Sequence, residues 1–175
     1  PDNHIRAVIM VPTRELAQQI DMQFEGFSYF PPISTTVVYG GGDGAGWDQQ
    51  KKGLLMGADV VIATPGRLLS HIANSGIDLS QVSYFILDEA DRMLDMGFVH
   101  DVKKVIAKLP GERQNLMFSA TMPTEIEQLA AGILRKPAFV KVDPVSSTVD
   151  RIDQSLYFVE KGNKKFLLPW LIKNL

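Results

Sequence analysis

The sequence predicts an α/β fold in which a mostly parallel sheet carries helices on both faces. Short apolar runs rich in β-branched residues alternate with segments whose apolar residues recur at helical spacing. These runs are continuously apolar, which is typical of parallel strands buried on both faces. Hydrophobic residues make up 45% of the 175 positions, so the chain can bury the core of an ordinary domain.

Individual elements can be placed from the same runs. Six strands are predicted in the first part of the chain, at residues 7–11, 36–39, 59–63, 84–87, 115–118 and 138–142. Helical spacing of apolar residues predicts helices over residues 16–24, 65–73 and 98–109. Pro123 suits the first position of a further helix, where its missing N–H has no partner to lose. This alternation of strand and helix is that of a sheet built from βα units.

The C-terminal part of the chain is predicted to begin a second domain. Residues 144–150 are interpreted as a linker, because proline, serine and threonine cluster there. The linker separates a predicted domain at residues 1–143 from residues 151–175, which contain one predicted strand (152–159) and one predicted helix (163–175, with Pro169 inside it). One strand and one helix cannot form a core, so residues 151–175 are expected to be only the start of that domain.

Charge and composition exclude several classes of protein. Lys and Arg number 18 and Asp and Glu 20, for a net charge of −2, which argues against nucleic-acid binding by bulk charge. The absence of cysteine excludes disulfides and thiolate metal sites and favours a reducing compartment. No apolar run is long enough to span a bilayer, and the first residues lack the form of a signal peptide. A cytoplasmic location is therefore expected.

Five polar or glycine-rich segments each follow directly on a predicted strand. They are Pro12-Thr13-Arg14-Glu15-Leu16-Ala17, Gly40-Gly41-Gly42, Thr64-Pro65-Gly66-Arg67, Asp88-Glu89-Ala90-Asp91 and Ser119-Ala120-Thr121. In an open α/β sheet, ligands bind outside the carboxyl ends of the strands, where helix N-termini also offer free N–H groups to phosphates. The sequence therefore predicts a site along one edge of the sheet.

The acidic pair Asp88 and Glu89 has two interpretations. An apolar strand that ends in a carboxylate is the arrangement by which P-loop nucleotide hydrolases hold Mg²⁺. Asp88 would then hold the metal through water, and Glu89 would act as general base for an attacking water. Alternatively, both acids simply cap the following helix, whose dipole they suit. The pair alone does not decide between these interpretations.

The other four segments are equally open when they are taken singly. Thr64 and Pro65 form a good helix start with no function attached, whereas Gly66 allows close approach of a backbone and Arg67 supplies a phosphate fork. Arg14 is either a solvated helix residue or a phosphate contact. The glycine run is either a turn or a loop that touches a sugar-phosphate backbone, and the Ser-Ala-Thr segment could consist of ordinary caps.

Taken together and in this order, the five segments resemble those of DEAD-box RNA helicases. PTRELA at residues 12–17 is similar to motif Ia of that family, and the glycines are similar to its GG element. TPGR at residues 64–67 resembles its next RNA-contacting motif, DEAD at residues 88–91 its motif II, and SAT at residues 119–121 its motif III. The word DEAD is weak alone, but five such words in the family order are highly specific. The resemblance implies a RecA-like domain of the P-loop NTPase fold whose N-terminal part is missing.

The resemblance also implies a role for each matching residue. Asp88 and Glu89 would be the catalytic pair, with Asp88 on Mg²⁺, while Asp91, Ser119 and Thr121 would couple the nucleotide site to the RNA site and to the partner domain. Contacts to the RNA backbone are implied for Pro12, Thr13, Arg14, Gly41, Thr64, Pro65, Gly66 and Arg67. ATP and Mg²⁺ are the implied cofactors. The implied partners are RNA, held through its sugar-phosphate backbone, and the second RecA-like domain of the same protein.

The activity that the resemblance implies is RNA-dependent ATP hydrolysis that locally unwinds RNA duplexes or remodels ribonucleoproteins. The family's Q motif and P-loop should lie upstream of Pro12, which only eleven residues precede, and no segment of the chain matches G-x-x-x-x-G-K-[ST]. The chain is therefore expected to be an excerpt of a longer enzyme and inactive alone. A non-catalytic module that binds RNA or a protein partner, and a DNA-directed relative, are the alternatives.

Overall fold

The computed structural model describes residues 4–29, 31–41, 44–142 and 155–174. The chain divides into two compact units, Pro1–Pro137 and Ala138–Leu175. Within the described residues, the first unit contains the sheet and six α-helices, and the second contains a 3₁₀ turn and one α-helix.

The sheet of the first unit has five strands. They are β1 (Ala7–Met10), β2 (Thr35–Val38), β3 (Val60–Ala63), β4 (Tyr84–Leu87) and β5 (Gln114–Met117). Every neighbouring pair is parallel, and the strand order is β2-β3-β1-β4-β5. The first five predicted strands are thereby confirmed, with bounds that shift by no more than one residue. The parallel sheet confirms the predicted α/β class.

Helices follow the strands along the chain. The first unit contains α1 (Arg14–Phe27), α2 (Gly44–Leu55), α3 (Pro65–Asn74), α4 (Ala90–Asp95), α5 (Val99–Ile106) and α6 (Thr124–Ile133). The second contains α7 (Lys164–Asn174), which follows a 3₁₀ turn at Lys161–Asn163 and includes Pro169. Pro123 is the N-cap of α6 and not its first residue, because its backbone is extended at ψ 162°. None of the helices within the described ranges is both long and apolar enough to cross a membrane.

Helix α2 has no counterpart among the predicted elements. Glycines at positions 44, 46 and 53 lower its helix propensity and concealed it. A β-carbon added at Gly53 would lie 2.5 Å from Thr36 Oγ1 and 2.9 Å from Thr36 Cγ2 on β2. Glycine at this position lets the helix pack directly on the strand, so tertiary packing outweighs local propensity.

Apolar side chains are buried on both faces of the sheet. Val8 and Met10 of β1 belong to a large cluster with side chains from α3, α4, α5 and α6. Ile9 and Val11, which alternate with them, belong to a second cluster with Ala17 and the other apolar residues of α1. Helices therefore cover both faces, as the continuously apolar strands predicted.

Two predicted strands are wrong where they can be compared with the structure. Residues 138–142 form no strand, and the side chains of Phe139, Val140 and Val142 are at least 77% exposed. Residues 155–159, the described part of the predicted strand at 152–159, form no strand either. An apolar β-branched run becomes a strand only when a partner strand takes up its backbone hydrogen bonds, and composition does not reveal that partner. Residues 152–154 and the predicted linker lie outside the described residues.

Candidate functional site

The carboxyl ends of the five strands form one row across the sheet. Val38 pairs with Ala63, Ala63 with Met10, Met10 with Leu87, and Leu87 with Met117, so each strand ends at the same level. Neighbouring strands are about 4.8 Å apart, and the row is therefore about 19 Å long. All five polar or glycine-rich segments begin within two residues of this row. The glycine element, the TPGR turn and the PTRELA segment follow β2, β3 and β1, while the DEAD and SAT segments follow β4 and β5.

The acidic pair lies at the turn between β4 and α4. Asp88 is partly buried, and its Oδ1 accepts a hydrogen bond from the backbone N–H of Glu89 at 2.9 Å. Glu89 has a left-handed backbone conformation, with φ 51° and ψ 50°. Such a conformation is uncommon for a residue with a side chain, and strain of this kind concentrates at functional sites.

The side chain of Glu89 does not cap α4, although the residue is at the N-cap position. Its Oε2 instead accepts a hydrogen bond from Arg92 Nη1 at 3.1 Å, in an ion pair in which both side chains are more than a third exposed. An ion pair this exposed contributes little to stability. Nothing in the geometry thus commits Glu89 to the capping role that the alternative interpretation gave it.

Asp91 joins the DEAD segment to the SAT segment. Its Oδ2 accepts hydrogen bonds from both the backbone N–H and the hydroxyl of Thr121, each at 2.8 Å. Its own backbone N–H donates to Ser119 Oγ at 3.1 Å, and that hydroxyl donates to the carbonyl of Thr121 at 2.8 Å. The two hydroxyl residues are therefore not caps of α6. They connect the ends of β4 and β5.

The charge state of Asp91 follows from these contacts. Burial raises the pKa of its carboxyl, but the hydrogen bonds from Thr121, Arg92 and Ser119 outweigh burial and hold the pKa below its usual range. Asp91 is therefore ionised at neutral pH and is the acceptor that both donors of Thr121 require.

The PTRELA segment begins α1, next to the glycine element. Thr13 is the N-cap of α1, and its Oγ1 accepts from the backbone N–H of Leu16 at 3.3 Å. The guanidinium of Arg14 is exposed, lies 5.9 Å from the centroid of the Tyr39 ring and is 3.5 Å from Glu15 Oε1. Gly41 has φ 93°, and a β-carbon there would lie 3.9 Å from Arg14 Nη1. Two predicted RNA contacts, Arg14 and Gly41, are thus brought together on the surface, while Gly42 lies outside the described residues.

The TPGR turn begins α3. Thr64 occupies the N-cap, but its side chain makes no capping hydrogen bond, and Pro65 is the first helical residue. Pro65 and Pro12 are both buried. The two prolines therefore fix the backbone of their turns, and the RNA contacts predicted for them stay predictions. Gly66 is partly exposed.

The Arg67 side chain is more confined than an arginine whose guanidinium is free to bind a phosphate through two nitrogens. Its Nε donates to Gln50 Oε1 at 2.9 Å, and its guanidinium carbon lies 4.5 Å from the centroid of the Trp47 ring. Its Nη2 is buried and has no hydrogen-bond partner among the described residues. Because Nε already donates to Gln50 and Nη2 is buried, a two-pronged phosphate contact from this side chain requires a rearrangement.

Sequence reasoning missed Trp47, Gln50 and His71, which surround Arg67. His71 is fully buried, its ring stacks on Trp47 with centroids 3.8 Å apart, and its Nε2 is 3.2 Å from Gln50 Oε1. Burial, followed by the charges of Arg67 and Lys51, lowers the pKa of His71 from 6.5 to about 4. The spacing of Trp47, Gln50 and Leu54, by three and then four residues, is a helical signal that the neighbouring glycines obscured.

The described residues contain no group of three or more His, Asp or Glu side chains that could enclose a metal ion. Mg²⁺ is ordinarily bound by one or two carboxylates together with substrate phosphates, and it retains several waters. Asp88 and Glu89 at the end of a strand fit that mode of binding. Two carboxylates are too few for a site in which the protein supplies every ligand of the ion.

A parallel α/β sheet with an acidic pair and helix starts along its carboxyl edge places this chain in the class of open α/β domains whose ligand sites lie outside the carboxyl ends of the strands. The family model for "DEAD/DEAH box helicase" matches residues 1–129. Because the match covers most of the chain, the chain belongs to this family, as the five motifs predicted.

Several curated proteins are similar to nearly the whole chain. "Probable ATP-dependent RNA helicase ddx3" of Dictyostelium discoideum is 42% identical over 170 residues, which is 95% of this chain and 24% of that protein. "RNA helicase CrhR" of Synechocystis sp. is 41% identical over 94% of this chain and 33% of its own length. "ATP-dependent RNA helicase DbpA" of Bacillus subtilis is 37% identical over 95% of this chain and 34% of its own length. The chain thus spans about a quarter to a third of the length of these relatives.

Proposed function

We propose that the intact protein is an RNA-dependent ATPase that locally unwinds RNA duplexes or remodels ribonucleoproteins. The observation that carries this proposal is the row of five strand ends. It brings the acidic pair and the Asp91–Thr121 contact to one half of an edge and the TPGR, PTRELA and glycine segments to the other half. The names of the relatives, all RNA helicases, agree with it.

The β4 and β5 half of the edge is the proposed site of ATP hydrolysis. Asp88 would hold Mg²⁺ through water, and the ATP phosphates and further waters would complete its coordination. The bound cation would supply charge neutralisation at the β- and γ-phosphates. Glu89 would accept a proton from the attacking water, which requires its carboxylate to exchange Arg92 for that water. The exposure of this ion pair makes the exchange inexpensive.

Asp91, Ser119 and Thr121 are proposed to couple the two halves of the reaction. Their hydrogen bonds tie the start of α4, directly after the acidic pair, to the segment that follows β5. A shift of the acidic pair on ATP binding or hydrolysis would therefore be transmitted to residues 119–121. The second RecA-like domain of the same protein is the proposed recipient.

The β2, β3 and β1 half is the proposed RNA surface. The proposed contacts to the sugar-phosphate backbone are those predicted from the sequence, made by Pro12, Thr13, Arg14, Gly41, Thr64, Pro65, Gly66 and Arg67. Contacts to phosphate and sugar carry little base information, so binding that is independent of sequence is expected. The net charge of −2 agrees with a few placed contacts and not with a general basic surface.

We propose the same domain organisation that the sequence indicated. Residues 1–143 would be most of a first RecA-like domain, residues 144–150 a linker, and residues 151–175 the start of a second. The division into two compact units near residue 138 supports this organisation.

The decisive experiment measures ATP hydrolysis by the intact protein with Mg²⁺ and either no nucleic acid, single-stranded RNA, or DNA of the same sequence. Stimulation by RNA and not by DNA is expected. Equal stimulation by DNA would indicate the DNA-directed alternative, and RNA binding without hydrolysis would indicate the non-catalytic module. Removal of Mg²⁺ with EDTA should abolish turnover.

A further inference from the structure

A partly buried polar cluster lies between Tyr39 and the TPGR turn. It consists of Trp47 and Gln50 from α2, Arg67 and His71 from α3, and Ser75, the C-cap of α3. Only Arg67 has a role in the function proposed above. The five residues together are called the Gln50 cluster, and the inference that follows concerns the other four.

Gln50 is the centre of the cluster, and both ends of its amide are used. Its Oε1 accepts from Arg67 Nε at 2.9 Å, and its Nε2 donates to the carbonyl of Tyr39 at 3.1 Å. The reversed amide would place NH₂ against N–H and one carbonyl against another, so the contacts determine the orientation. Gln50 thereby links α2, the first turn of α3 and the residue that precedes the glycine element.

His71 completes the acceptor side of Gln50. Its Nε2 lies 3.2 Å from Gln50 Oε1, which can only accept, so Nε2 carries the ring proton. Nδ1 is then the acceptor for the hydroxyl of Ser75 at 3.1 Å. In the neutral ring these contacts define a single tautomer, and every polar atom of Gln50 and His71 has a partner.

Trp47 provides the apolar wall of the cluster. Its ring stacks on the His71 ring at an interplanar angle of 14°, and Arg67 lies over it at 4.5 Å. The aromatic face attracts the guanidinium, whose buried Nη2 has no hydrogen-bond partner among the described residues. Arg67 is therefore held by a hydrogen bond at Nε and by the ring face.

We propose that Gln50 is a positioning residue for RNA binding, supported by Trp47. It holds the Arg67 guanidinium in one arrangement before RNA arrives, although Gln50 is 9% exposed and does not itself contact RNA. An arginine that is ordered in advance loses less rotamer freedom on binding, so affinity depends on the group that orders it. The inference rests on the proposed RNA-binding function, because it adds a residue on which the RNA affinity of that surface depends.

The test measures the affinity of the intact protein for a fluorescein-labelled oligouridylate, with a non-hydrolysable ATP analogue present. Gln50→Met removes both hydrogen bonds at nearly constant volume, and Gln49→Met, one position earlier and exposed, is the matched control. We expect Gln50→Met to weaken RNA binding by about 2- to 30-fold, the range typical of residues that act through others. Gln49→Met should bind as the wild type does. The maximal RNA-stimulated ATPase rate should be retained while the RNA concentration for half-stimulation rises.

A double-mutant cycle with Arg67→Ala separates positioning from general damage. If Gln50 acts through Arg67, the double variant should bind RNA no more weakly than Arg67→Ala alone. Arg67→Ala should also reduce the slope of log affinity against log salt by about 0.7 for a single strand, the value for one lost phosphate contact. Losses that multiply in the double variant, or affinity of Gln50→Met equal to that of the wild type, would overturn the inference.

A second pair of variants decides the matter if Gln50→Met fails to fold, as judged by loss of nucleotide affinity. Trp47→Phe keeps an aromatic face under Arg67 and should retain RNA affinity within about twofold, whereas Trp47→Leu should lose it. Equal affinities for these two variants would overturn the inference. A wild-type protein that binds no RNA would instead overturn the proposed function, and the two failures are therefore distinguishable.

Discussion

His71 should remain neutral far below the pH at which an ordinary histidine becomes charged. The cluster buries its ring, places Arg67 and Lys51 nearby, and lowers its pKa from 6.5 to about 4. That difference corresponds to about 3 kcal/mol in favour of the neutral form. The variant to compare with wild type is His71→Gln, because glutamine does not titrate and retains an N–H donor for Gln50.

The sign of the pH effect follows from the lowered pKa. Between about pH 4 and pH 6.5 the unfolded chain protonates this histidine while the folded protein does not. The free energy of opening should therefore be largest above pH 6.5 and fall as the pH decreases through this window. Between about pH 7 and pH 5 the loss that His71 contributes is about 2 kcal/mol.

Hydrogen exchange of the backbone amides of α3 in the intact protein can measure that loss. The opening free energy of wild type and His71→Gln would be compared at the two pH values, so that all other titrating groups cancel. Wild type should lose about 2 kcal/mol more than the variant. A histidine NMR titration that gives His71 a midpoint near 6.5, or equal losses for both proteins, would refute the reasoning.

Three further predictions concern the acidic pair, the coupling residues and the packing of α2. In the intact protein, Glu89→Gln should lower ATP turnover by about 10²- to 10⁴-fold while ATP still binds; turnover within about threefold of wild type would show that Glu89 is not the base. Ser119→Ala combined with Thr121→Ala should leave most ATPase activity but impair duplex unwinding, and parallel loss of both activities would contradict a coupling role. Gly53→Ala should lower the thermal midpoint of the intact protein because a β-carbon there meets β2 at 2.5 Å. Gly44→Ala, where an added β-carbon meets nothing within 4 Å, should be neutral or slightly stabilising.

Local patterns were sufficient for the sheet and for most helices of the first unit. Strands such as β4, Tyr84–Leu87, are short apolar runs between polar segments, and that contrast is visible without any partner. Parallel strands also share a carboxyl edge by geometry, so the motifs after them could be assigned to one edge from the sequence. Here the structure adds the register, which places the five strand ends in one row.

The same patterns failed where an element depends on its surroundings. The run at residues 138–142 has the composition of a strand, but no strand forms there, because strand formation needs hydrogen bonds from another chain segment. Helix α2 shows the converse case. Its glycines argue against a helix, yet Gly53 is what permits close packing on Thr36.

The sequence by itself determined the family, through five short motifs in a fixed order, and the chemical types of residue at the site. Only the tertiary structure decided what each residue contacts. The hydrogen bond between Asp91 and Thr121 joins positions 30 apart in the sequence. Arg67 contacts Gln50 and Trp47, which lie on the helix α2 that its low propensity concealed. The physical reason is that hydrogen bonds and ring contacts act over a few ångströms in space. Sequence periodicity shows which face a residue occupies but not which distant residue packs against that face.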